Sequence, residues 1–156
     1  MSEYVYNQLQ RVEPNQNVIL DTAIPCNRGY VLHREESGIV ILRGIVNGCG
    51  CFARYQVTFN GNIAVPSDQP LGPISIAIAI DGEPVQTSRA IVTPADVAED
   101  PPTPTNFFNV TSTAIVTVPK GCCFTVAVEN TSAGVDGGVA PAILVQNANL
   151  TVARLA

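Results

Sequence analysis

Four isoleucines at a strict spacing of two, in Ile74-Ser75-Ile76-Ala77-Ile78-Ala79-Ile80, constrain this chain more than any other feature. On a helix those side chains would scatter around the circumference; on a strand all four fall on one face. The segment therefore reads as a β-strand with its isoleucines in a core. Asp81-Gly82 then closes a turn, and Glu83–Val85 starts a return strand.

The same reading extends along the chain. Val18–Thr22 is a short β-rich run after the turn-forming Glu13-Pro14-Asn15, and Tyr30–His33 and Gly38–Val46 follow. In Phe52–Phe59, the residues Phe52, Tyr55, Val57 and Phe59 interleave with Arg54, Gln56 and Thr58, which suits a sheet with one buried face. Asn60-Gly61 is a tight-turn signal. Arg89–Val92, Val110–Val118 and Phe124–Val128 are further strands, the last two parted by Pro119-Lys120-Gly121. Ala142–Leu155 is too irregular for one ideal strand, so a bend near Asn147 is expected. About nine or ten short strands with regular turn signals fit a sandwich or jelly roll. Pro94–Thr105 differs: it is acidic and holds four prolines, and it reads as an exposed loop. Its start, Thr93-Pro94-Ala95-Asp96, could cap a single helical turn.

At 156 residues the chain fits one domain spanning 1–156. Charged residues make up 13%, about half the usual ~25%. Such a surface has little charge to keep it in solution, and burying part of it against other copies is the simplest remedy. The net charge of −5, 8 scattered Lys and Arg, and 6% aromatics without Trp argue against nucleic-acid binding. No apolar run approaches the 18 or more residues of a membrane span. Met1-Ser2-Glu3-Tyr4 lacks the basic and apolar regions of a secretory signal, so folding is expected to begin in a cytoplasm.

The order of segments resembles the globular jelly roll of tumour necrosis factor and the complement component one-q heads. Related versions cap bacterial collagen-like spore-surface proteins and occur among structural proteins of gut bacteriophages. Glu36-Ser37-Gly38-Ile39-Val40-Ile41, the hairpin Ile76–Val85, the turn Val116–Cys122 and the closing Ala148–Leu155 carry the resemblance, which covers roughly residues 5–156. It implies an all-β, ten-strand antiparallel jelly-roll sandwich that forms a homotrimer around a threefold axis. No collagen stalk is present in this sequence, and the acidic calcium cluster of some relatives is lacking. The resemblance implies no chemistry, because fold alone does not carry it.

Within that topology, the loop holding Cys49 and Cys51 and the turn holding Cys122 and Cys123 should lie side by side. Three readings stay open: disulfides linking the loops, reduced thiols acting as small hydrophobes, or a thiolate zinc site. Zinc fits least, since C-x-C plus CC departs from the usual C-x₂-C spacing. Cys26, the fifth, would stay free or pair across subunits.

His33 is the only histidine and has no local nucleophile or acid to work with; it reads as part of an exposed polar stretch beside a strand. There is no G-x-S-x-G elbow, phosphate loop or metalloprotease motif. Asp96, Glu99 and Asp100 read as a solvated acidic loop rather than a calcium site. The sequons at Asn109, Asn130 and Asn149 read as ordinary polar strand or turn residues. No catalytic, cofactor-binding or metal-binding residue, and no cofactor, is expected.

The expected function is therefore non-enzymatic: a trimeric accessory protein on a bacteriophage virion surface, such as a capsid decoration or head-fibre protein contacting capsid or other virion proteins. The alternative is a head at a bacterial cell or spore surface that recognises a glycan or protein. A metal-binding, cupin-like enzyme would need two or three histidines. Tyr55 or Phe107 is expected near the threefold contacts.

Overall fold

The structure, a computed structural model, describes residues 1–24, 29–94 and 107–156. Its strands are β1 (Ser2–Tyr6), β2 (Gln10–Val12), β3 (Thr22–Ile24), β4 (Val31–Arg34), β5 (Ile39–Arg43) and β6 (Phe52–Ala64). Then come β7 (Ile74–Ile80), β8 (Glu83–Pro84), β9 (Ala90–Val92), β10 (Phe108–Pro119), β11 (Cys123–Asn130) and β12 (Ile143–Arg154). Among the described residues the only helical turns are two short 3₁₀ segments, Gln86–Ser88 and Val135–Gly137.

Two antiparallel sheets face each other. One runs β10-β6-β12-β1-β3 with β2 also on β12; the other runs β4-β5-β11-β7-β8 with β9 also on β7. β1 and β2 lie along the same edge of β12, and β8 and β9 along the same edge of β7. Each of these pairs is one interrupted strand, so the twelve segments fill ten positions, five per sheet. The β1–β2 interruption lies opposite an irregularity in β12. There the register with β6 shifts between Gln146 and Asn149, and Asn147 has φ 53°. This is the expected bend near Asn147.

Ile74, Ile76 and Ile78 are fully buried between the sheets with Leu42, Phe59, Ile63 and Leu150. Each such aliphatic side chain contributes roughly 1.5–3 kcal/mol through burial.

Several expectations need correction. Asn60-Gly61 is not a turn but lies inside β6, where Gly61 pairs with Val110 of β10. The glycine serves packing: a Cβ at Gly61 would come within 2.7 Å of Cζ of the Phe59 ring. Phe52 belongs to the outward phase of β6, 50% exposed, because the inward set is Ala53, Tyr55, Val57 and Phe59. Tyr55 is in the core, not at a subunit contact; its hydroxyl donates to the Arg43 carbonyl at 2.6 Å. Val18–Thr22 contributes the buried Val18 and Leu20, but only its end joins a strand, β3. β1 and β2 were not foreseen, because Ser2–Tyr6 and Gln10–Val12 are short and partly polar. The helical turn at Thr93–Asp96, Cys26, and nearly all of the Pro94–Thr105 loop with its three carboxylates lie outside the described residues.

Candidate functional site

Both chain ends and both cysteine-bearing connections meet at one end of the sandwich. Ser2 pairs with Val152, the Arg54 N–H donates to the Ala156 carbonyl at 3.0 Å, and Phe52 pairs with Pro119. Residues 44–51 cross from β5 to β6, while residues 120–122 cross back from β10 to β11. Backbone bonds knit the crossovers together: Lys120 N–H to Cys51 O at 2.9 Å, Gly121 N–H to Gly44 O at 2.9 Å, and Gly44 N–H to Cys122 O at 2.8 Å. The Lys120 ammonium adds a bond to Gly48 O at 3.3 Å. Approach this close requires glycine at 44, where a Cβ would sit 1.9 Å from the Pro119 carbonyl oxygen.

Arg154 braces the same end. Its guanidinium donates to Ile45 O at 2.6 Å and lies 4.0 Å from the Tyr30 ring centroid. Burial pushes the neighbouring Tyr55 phenol pKa up. Cys49, Cys51, Cys122 and Cys123 are all exposed free thiols. Among the described residues, no three His, Cys, Asp or Glu side chains group as a metal site would require.

A second feature covers the outer face of the β6 sheet. Thr58 and Thr113 hydroxyls meet at 3.3 Å, and the Asn60 amide donates to Thr111 Oγ1 at 2.9 Å. Asn109 donates to both Asn60 Oδ1 and Asn62 Oδ1 at 3.1 Å. Register sets these rows: Thr111–Asn60–Asn149, then Thr113–Thr58–Thr151, then Ile115–Gln56–Ala153. The result is an uncharged ladder that satisfies much of its own hydrogen bonding, with Ile115 48% exposed at its margin. Sequence reading saw the polar phase of each strand; only the register showed that the phases align.

The other conspicuous residues have structural surroundings. At the opposite end, Leu71, Val135 and Val139 line a shallow apolar cleft of about 160 Å³ among prolines. His33 is not an exposed polar residue: it lies in β4, half-buried, with its ring centroid 4.7 Å from that of Tyr4. Val31 and His33 share the inward phase of that strand, which the run His33-Arg34-Glu35-Glu36 had disguised. The Asn130 side chain is fully buried, donating to Val12 O and Pro141 O at 3.0 Å each and accepting from the Ser132 N–H. Asn109 and Asn149 lie on strands in the β6 sheet. Phe107 is partly exposed beside the start of β10.

This strand order has close counterparts among solved structures. The globular domain of zebrafish complement 1qA aligns with a TM-score of 0.55 and 14% identity, covering 99% of this chain and 94% of that one. The fold is the jelly roll of the complement and tumour necrosis factor heads. Eiger, a tumour necrosis factor of S. frugiperda, aligns with a TM-score of 0.52 and 12% identity over 100% of this chain and 92% of that one. The C-terminal domain of the sugar-binding protein EclA reaches 0.41, too low to bear on function. No protein-family model matches the sequence, nor does any curated protein. At such identities the likeness concerns the jelly roll alone.

Proposed function

We propose that this chain is a non-enzymatic structural head that works as a homotrimer, serving as a surface accessory protein of a bacteriophage particle. The observation carrying the trimer is the uncharged ladder of Thr58, Asn60, Asn109, Thr111 and Thr113 on the outer face of the β6 sheet. Those groups already bond to one another, so covering them with another copy strips away less hydration than covering unpaired polar groups would. A charged fraction of 13% supports the same reading, since copies meeting through such a face bring few like charges together. The placement on a virion rests on the resemblance to phage structural proteins.

Light scattering on the purified chain tests the assembly, with a trimer mass expected at micromolar concentration; a monomer mass would overturn it. Proteomics of purified phage particles from the source tests the location. Recovery in cell-wall or spore-coat fractions instead would move the reading to a bacterial surface head that recognises a glycan or protein.

A further inference from the structure

The alternation of the two strands flanking the cysteine-bearing crossovers sorts the four thiols by direction. Inward positions on β6 are Ala53, Tyr55 and Val57, so Cys51, one step before the strand, shares their side. The β6–β10 register continues through the Lys120 N–H to Cys51 O bond of 2.9 Å, placing Cys51 beside the turn that leads into β11. On β11 the inward positions are Phe124, Val126 and Val128, which puts Cys122 on the inner side and turns Cys123 outward beside Arg43. Cys49 stands farther from the ladder, between Gly48 and Gly50.

We infer that Cys51 and Cys122 are a disulfide-forming pair, which closes across the open end of the sandwich when a low-molecular-weight disulfide such as oxidised glutathione is present. The exchange balances. One cysteine thiolate attacks a sulfur of the small disulfide, breaks its S–S bond and releases one small thiolate, leaving a mixed disulfide. The partner thiolate then attacks the protein-side sulfur and releases the second. Two protein thiols are oxidised, one small disulfide is reduced to two thiols, and the protons from the protein end on those thiols. The inference does not depend on the trimer.

The reduced full-length chain is incubated with oxidised glutathione, and free thiols are then counted under denaturing conditions. Two of the five cysteines should be lost, without cross-linked copies on a non-reducing gel. Trypsin leaves Cys49 with Cys51 and Cys122 with Cys123, so serine variants assign the bond. Cys51→Ser and Cys122→Ser should each abolish the internal bridge; Cys49→Ser and Cys123→Ser should each keep it. Because these thiols are exposed, all four variants should fold, checked by circular dichroism. The bridge should raise the melting temperature by about 5–10 °C, since it closes a long loop. Unchanged thiol counts, persistent glutathione adducts, cross-linked copies, or a bridge surviving in Cys51→Ser would each overturn the pairing.

Discussion

The outer faces of the two sheets are built differently. On the β6 sheet, Thr and Asn side chains stand out from the strands and bond across them, as in the Thr58–Thr113 and Asn60–Asn109 pairs. On the β7 sheet, the matching positions are small: Ser75, Ala77 and Ala79 are each 1% exposed, and Ala127 lies beside Ala79. Half-buried Ile39 and Ile41 continue that face on β5. A face of standing polar groups offers a partner both reach and mutually satisfied hydrogen bonds. Sunken alanines offer little to interlock with. Two sheets sharing one core can thus be separately suited to contact and to closure, which assigns the proposed subunit contacts to the β6 sheet.

The largest expected effect strikes what the two sheets share. Ile78→Asp would bury a carboxylate among Phe59-class neighbours with no cation in reach, costing several kcal/mol. The variant should be unfolded or insoluble by circular dichroism and sedimentation. A soluble, native-like product would mean that the inner side of β7 is wet.

A smaller effect should separate the faces. Thr58→Glu combined with Thr113→Glu sets like charges directly opposite each other, at a cost of about 1 kcal/mol within one sheet. The double variant should fold but scatter light as a monomer, whereas Ala127→Ser on the other sheet should leave the mass unchanged. Retention of the trimer by the Glu variant would move the contact away from the β6 face.

The sequence made β7 readable because every second residue is apolar and β-branched, and Asp81-Gly82 was readable because both residues have positive φ in the turn, at 50° and 82°. The bend at Asn147 was legible from broken alternation. Other features needed the third dimension. Asn60-Gly61 carries turn chemistry, yet the space demanded by the Phe59 ring explains the glycine. Tyr55 shares its phase with Val57, but its depth depends on an acceptor at Arg43, on another strand. The adjacency of the two cysteine-bearing crossovers followed from the jelly-roll order. The direction of each thiol needed the observed register.

The smallest effect belongs to the carboxylate set into the outer face of the β7 sheet. Glu129 is 8% exposed on β11, opposite Ala77, and burial, with Glu83 nearby, holds its pKa above the ordinary glutamate value. The folded state therefore holds this proton more tightly than the unfolded chain does. Stability from that preference is fully present below the unfolded value of about 4.3, and it is lost as pH rises through the folded pKa. At neutral pH the ionised group is a net cost to the fold. Glu129→Gln keeps the shape and removes the charge, so its melting temperature should exceed that of the parent by a small margin at pH 7. The margin should close as both proteins are taken down toward pH 4, in parallel thermal melts over that range. A margin that instead widens on acidification would mean that the charged carboxylate stabilises the fold, making this sunken face more polar in character than its alanines suggest.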